Sequence, residues 1–122
     1  MPVFKFVTPA AGLAGGAVIN NIMAGNKFEF LPRNGVVRVY AAQDVSAGVQ
    51  GNTELDFTLG NVVVGDDLAC NGAAAIGIGP DRNTDLLATG VAMAGDRIQI
   101  RAQNTDAALP SNFRVLVEIN DI

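Results

Sequence analysis

Apolar and polar side chains alternate with a period of two along several short stretches of this chain, most clearly at Arg97-Ile98-Gln99-Ile100-Arg101-Ala102 and Phe113-Arg114-Val115-Leu116-Val117-Glu118-Ile119. Period two sends successive side chains to opposite faces of an extended backbone, so each stretch predicts a β-strand with one buried face. The same alternation runs through Lys27-Phe28-Glu29-Phe30, Val36-Val37-Arg38-Val39-Tyr40 and Thr53-Glu54-Leu55-Asp56-Phe57-Thr58-Leu59, each bounded by Gly, Asn, Asp or Pro. Strands are predicted over 2–7, 18–23, 27–31, 35–42, 53–59, 61–64 continuing to 70, 74–78, 86–93, 96–103 and 112–119. Many short strands punctuated by turns imply an all-β, antiparallel sandwich or barrel, with a sandwich of about eight strands the preferred form. Phe28, Phe30, Val37, Val39, Leu55, Phe57, Leu59, Ile98, Ile100, Phe113, Val115, Val117 and Ile119 fall on the apolar faces and form the predicted core.

Turn chemistry supports these boundaries. Arg33-Asn34-Gly35 carries an Asn-Gly turn, Ala94-Gly95-Asp96 separates two strands tightly, and Gly79-Pro80-Asp81 breaks the chain after Ile78. Residues 47–52 and 104–112, the latter with Pro110, read as longer surface connections. The segment 8–25 is ambiguous. Thr8-Pro9 resembles a helix N-cap with proline at the first helical position, but Gly12, Gly15 and Gly16 would each cost such a helix about 1 kcal/mol. An extended Gly/Ala-rich arm leading into a strand is the preferred reading, with a surface loop as the alternative. The organisation is therefore a single domain: 1–26 as amino-terminal strand and Gly/Ala-rich arm, 27–122 as the sandwich core.

At 122 residues the chain can bury a core without disulfides or metal. Only 16% of residues are charged while 49% are apolar, which predicts that partners cover part of the surface or that Ala and Gly inflate the apolar count. The net charge is −4 and the eight basic residues are spread singly, so direct nucleic-acid binding lacks its electrostatic footprint. The uncharged stretch from Phe6 to Asn26 superficially resembles a signal peptide. It is broken by Pro9, Gly12, Gly15, Gly16, Asn20 and Asn21, and residues 3–7 at its start already alternate like a strand, so no membrane or signal segment is assigned.

The absence of histidine removes Ser-His-Asp and Cys-His nucleophile arrangements and most zinc sites. Cys70, the single cysteine, excludes an intrachain disulfide and a paired redox motif, and reads as a buried inert thiol. Glu54 and Asp56 share a strand face, as the paired carboxyls of a sugar-cleaving enzyme would, although a solvated outer face explains them without catalysis and is the preferred reading. Asp81-Arg82-Asn83-Thr84-Asp85 has the spacing that opens a calcium loop. Leu86 stands where that loop needs glycine and Ala92 where it needs glutamate, so an ordinary Asp/Asn-rich turn is preferred, with an isolated site completed by Asp66 or Asp67 as the alternative. The run 72–79 lacks the order of a phosphate-binding loop, and its small residues suit close sheet packing or subunit contact. Sugar binding is disfavoured by the absence of Trp and the single Tyr. Arg97, Gln99 and Arg101 share one outer strand face, and Arg114 and Glu118 lie opposite the core in the last strand, placed to pair across strands or subunits. No catalytic, cofactor-binding or metal residue is assigned.

With these residues placed, the chain resembles the small β-sandwich structural proteins of virus particles: phage capsid decoration or cement proteins and single jelly-roll coat proteins. The features that carry the resemblance are Phe28-Glu29-Phe30-Leu31-Pro32, residues 35–42, residues 94–104 and the terminal strand 112–119. The resemblance implies a jelly-roll-like sandwich, a non-enzymatic structural role in the virion of a bacteriophage or other virus, and a homo-oligomer and/or a major capsid protein as partner. Coat proteins that package genomes directly often carry a basic arm, whereas this amino-terminal segment holds only Lys5, so the resemblance implies an outer decoration subunit or a shell whose genome this chain does not neutralise. Neighbour contacts are expected from the arm and the sheet edges, and exposed tips from 41–52, 80–85 and 104–112. On this reading, removal of residues 1–24 abolishes assembly and leaves the sandwich folded. The alternatives are a small carbohydrate- or calcium-binding sandwich and an extracellular filament subunit, with a carboxylate-only glycosidase a distant further option. Immunoglobulin-like and jelly-roll strand orders share this pattern.

Overall fold

A computed structural model describes residues 3–8, 12–44, 52–73 and 80–121. Its strands form two sheets. Sheet I contains β1 (Val3–Val7), β9 (Phe113–Asp121) and β3 (Gly35–Asp44) in that order, with β7 (Leu86–Ala92) and β6 (Asn71–Ala73) both on the far side of β3. The length of β3 allows this: Gly35 to Tyr40 pairs antiparallel with β7, and Ala42 to Asp44 pairs parallel with β6. Sheet II runs β2 (Val18–Ile19), β8 (Ile98–Asn104), β4 (Thr53–Leu59), β5 (Val62–Ala69). The predicted strand over 74–78 lies outside the described residues.

The strand order resolves the topology. Antiparallel partners nest as β1 with β9, β2 with β8, β3 with β7 and β4 with β5, and successive pairs fall in alternate sheets. A long hairpin wrapped in this way is a jelly roll, here with β6 added beside β3.

The period-two pattern decides what is buried. Thr53, Leu55, Phe57 and Leu59 of β4 face inward while Glu54, Asp56 and Thr58 face out, and β8 repeats this with Ile98, Ile100, Ala102 and Asn104 inside. Val37, Val39 and Ala41 of β3 and Phe113, Val115, Val117 and Ile119 of β9 close the core from sheet I. Phe6 of β1 reaches the same layer, its ring centroid 5.7 Å from that of Phe113.

Two expectations are corrected. Residues 27–31 do not form a strand. Asn26 Oδ1 accepts the Phe28 amide and the Glu29 amide bonds back to the Asn26 carbonyl, so the backbone turns. Glu29 is drawn inward, accepting the Gly25 amide and pairing at 2.6 Å with Arg97 Nε. Phe30, expected in the core, is therefore 57% exposed and lies under the Arg97 guanidinium.

The amino-terminal segment is also not free of its own domain. Thr8 accepts the Phe113 amide through its hydroxyl and donates to Asn112 Oδ1. Leu13 exchanges backbone hydrogen bonds with Ser111, and Asn104 Nδ2 donates to the Leu13 carbonyl. Past β2, the predicted strand 18–23 ends early because the Asn21 side chain replaces the ladder: its Oδ1 accepts the amides of Met23 and Ile100, and its Nδ2 donates to the Ile98 carbonyl. This turn carries Ile22 and Met23 into the core, Met23 completely.

Candidate functional site

The outer face of sheet II carries the one group of carboxylates, among the described residues, close enough to share a small ligand. It is built by an irregularity in the pairing of β4 and β5. Leu55 pairs with Leu68 and Phe57 with Gly65, so Asp56 alone stands opposite both Asp66 and Asp67. This is a β-bulge, and Asp67 takes the left-handed conformation with φ of 53°. Its amide then donates to Asp56 Oδ1 at 2.8 Å. Arg101, across the ladder on β8, places Nη1 3.2 Å from Asp56 Oδ2 and also donates to Gln103. Asp56, Asp66 and Asp67 each offer a carboxylate oxygen within 4.8 Å of the others. Asp56, Thr58, Val63, Asp66, Gln99 and Arg101 line a shallow cleft of about 310 Å³.

The electrostatics follow from these contacts. The Asp67 amide holds the Asp56 carboxyl below its usual range, with Arg101 adding to the effect. Asp66 moves the other way, because it shares a hydrogen bond with Asp56 and feels the charge of Asp67. The two carboxyls therefore titrate as a pair, Asp66 taking up a proton more readily than Asp56. Three carboxylates are also part of the oxygen set a hard cation takes, although Arg101 already supplies positive charge to Asp56.

Asp66 gives a pH prediction. Its raised folded value means that the native state binds the proton more tightly than the unfolded chain, so its stabilising contribution is full at low pH and is lost as pH rises through the raised value. Urea unfolding of Asp66→Asn against wild type should show the variant gaining relative stability between the ordinary carboxylate range and neutrality. A constant difference across that range would contradict the raised affinity of Asp66 for its proton.

The other sequence candidates separate. Glu54 lies on the same face as Asp56 but does not line the cleft. Asp81, Asn83 and Asp85 form a self-bonded turn: Asp81 Oδ1 accepts the Asn83 amide, Asp85 Oδ2 the Asp81 amide and Asp85 Oδ1 the Asn71 side chain. Asp66 and Asp67, considered from sequence as completing that loop, converge on Asp56 instead. Cys70 is 6% exposed, and burial, with the charges of Asp85 and Glu54, pushes its thiol up to about 12.

Arg114 and Glu118 do face away from the core, but they are buried. Arg114 Nη1 lies 2.8 Å from Asp44 Oδ1, with side chains 5% and 1% exposed. Glu118 is held between Arg38 at 3.9 Å and Arg82 at 3.4 Å, the latter reaching over from the turn before β7. Ion pairs thus cover the outward charges of β9 on sheet I, while the carboxylates of sheet II stay open.

Fold and site together define an all-β jelly-roll sandwich with an acidic cleft on one outer face. A scan against protein-family models, a search of curated proteins and a search of solved structures each found no match for this chain.

Proposed function

We propose that this protein is a non-enzymatic structural subunit that assembles on or as a virus or phage capsid, as a decoration or coat protein. The observation that carries this reading is the nested pairing of eight strands into a jelly roll, an architecture that capsid domains share with lectins and cupins. The chemistry points away from the cupin side of that set, because a chain without histidine lacks the usual imidazole ligands for a resident transition metal. It points away from the lectin side because there is no Trp to stack on a sugar and the single Tyr40 is 6% exposed. Low overall charge and several exposed valines suit a surface that meets other protein.

The rival, a small carbohydrate- or calcium-binding module, draws on the cleft around Asp56, Asp66 and Arg101. Native mass by light scattering with negative-stain microscopy, run beside a glycan array and a calcium titration, separates the two. A trimer, shell or filament without saturable ligand binding is expected. A monomer that saturates with a glycan or with calcium would overturn the structural reading.

A further inference from the structure

The chain holds two Asn-Gly pairs, Asn34-Gly35 and Asn71-Gly72. Asparagine is chemically labile, and a following glycine has no Cβ to shield its amide nitrogen from the asparagine Cγ. Both asparagines are exposed, and neither lines the cleft. Their surroundings differ in the atoms that decide such an attack.

At the start of β3 the fold fixes both members of the first pair. A Cβ at Gly35 would lie 2.9 Å from the Asn120 carbonyl oxygen, a backbone atom that cannot step aside, so this position stays glycine. Asn34 Oδ1 accepts the Ala94 amide at 2.8 Å, tying the turn between β7 and β8 to the entry of β3. That donor is itself held in place. The Gly95 amide bonds to the Leu31 carbonyl, the Asp96 amide to the Met93 carbonyl, and Asp96 Oδ2 accepts the Met93 amide. Asn71 is held by its other end. Its Nδ2 donates to the Thr84 carbonyl at 2.9 Å and to Asp85 Oδ1 at 3.1 Å, and among the described residues no donor reaches its Oδ1.

We infer that Asn34-Gly35 is a self-modification site, at which the native protein converts Asn34 to aspartate and isoaspartate with water as the only co-reactant. The Gly35 nitrogen loses its proton to water and bonds to Asn34 Cγ, the Cγ–Nδ2 bond breaks, and the nitrogen leaves as ammonia after taking a proton from water. A second water opens the cyclic imide, at Cγ to give aspartate or at the main-chain carbonyl to give isoaspartate. The Ala94 amide is aimed at the oxygen on which negative charge grows during the attack, and a donor already oriented there lowers the barrier. At Asn71 no such donor waits, and the Asp85 carboxylate beside the same amide group opposes the charge. Gly35 stands at the first rung of the ladder between β3 and β7, opposite Ala92, so fraying of that end frees its nitrogen without unfolding the domain. Either product makes the net charge of −4 one unit more negative. Isoaspartate also routes the main chain through Cβ and turns the oxygen that Ala94 holds into a main-chain carbonyl, so the change is one-way and alters the entry to β3.

The test incubates the full chain at mildly alkaline pH, folded and in urea, and follows both asparagines by peptide mass mapping, with isoaspartate read by enzymatic carboxyl methylation. In the folded chain Asn34 is expected to convert at least about tenfold faster than Asn71, a modest share of what one oriented donor supplies in a catalytic site. In urea both pairs keep only their glycine, and the two rates should converge. Ala94→Pro removes the donor, and where circular dichroism matches wild type its Asn34 should slow towards the Asn71 rate. The comparison of folded and urea-treated wild type decides the proposal even where that variant fails to fold. Equal rates at the two pairs in the folded chain, a faster Asn71, or no conversion at Asn34 would overturn the site. A folded Ala94→Pro protein that converts Asn34 at the wild-type rate would overturn the part given to the Ala94 amide.

Discussion

Arg114→Met is expected to lower the free energy of unfolding by about 3 to 5 kcal/mol, the usual cost of leaving one member of a buried ion pair without its partner. Asp44, the last residue of β3, is 1% exposed as a side chain, and Arg114 stands 2.8 Å away near the start of β9. Among the described residues neither Asp44 oxygen has an aligned hydrogen-bond donor that could take over the charge. The Met side chain fills much of the space of the Arg stem, so the loss measures charge more than volume. Replacing both members, Asp44→Leu with Arg114→Met, should recover most of the stability, because a buried pair exchanged for apolar side chains of similar size is often neutral. The check is the denaturant midpoint at unchanged slope for the two single variants and the double. A single variant within about 0.5 kcal/mol of wild type, the range of ordinary surface changes, would show that water reaches Asp44.

The position of Arg114 was legible in the sequence, but its burial was not. Alternation places Arg114 and Glu118 opposite Val115 and Val117. What covers them comes from elsewhere in the chain: Asp44 at the end of β3, and Arg82 extended over the sheet to Glu118. The strands β3, β4, β8 and β9 were legible because each has one face on the core, where a shift of one residue would invert every side chain. The same alternation misleads at 27–31, where Asn26 and the distant Arg97 bend the chain and draw Glu29 inward. The cleft was half legible. Glu54 and Asp56 share a face by period alone, but the meeting of Asp56 with Asp66 and Asp67 depends on an extra residue in β5. Its only sequence signal is the break in alternation at Gly65-Asp66-Asp67. The sheet order was not legible, since nested and other antiparallel orders use the same strands.

Removal of residues 1–24 is expected to unfold the protein rather than yield a folded sandwich that fails to assemble. The sequence suggested an arm because Gly12, Gly15, Gly16 and the neighbouring alanines offer little to pack. The structure gives the segment other anchors. Met23 is fully buried and Ile22 7% exposed, and truncating buried side chains of this size to Ala costs about 2 to 5 kcal/mol each. Deletion removes them outright, together with the Asn21 side chain that satisfies the backbone of Ile98 and Ile100 in β8. It also strips β1 from β9, exposing a central strand as a new edge and uncovering the side of Phe113 that Phe6 packs against. These losses together match or exceed the 5 to 15 kcal/mol by which domains of this size are ordinarily stable. Circular dichroism and denaturant titration of the 25–122 fragment should therefore show no cooperative transition. A fragment that unfolds cooperatively with a slope near that of the full chain would mean that 1–24 lies on the sandwich without supporting it. The segment would then be free to serve a neighbouring subunit after all. Retention of the full chain's slope is the stricter part of this test, since slope follows the surface buried and a residual core of β3, β4, β8 and β9 alone would lower it.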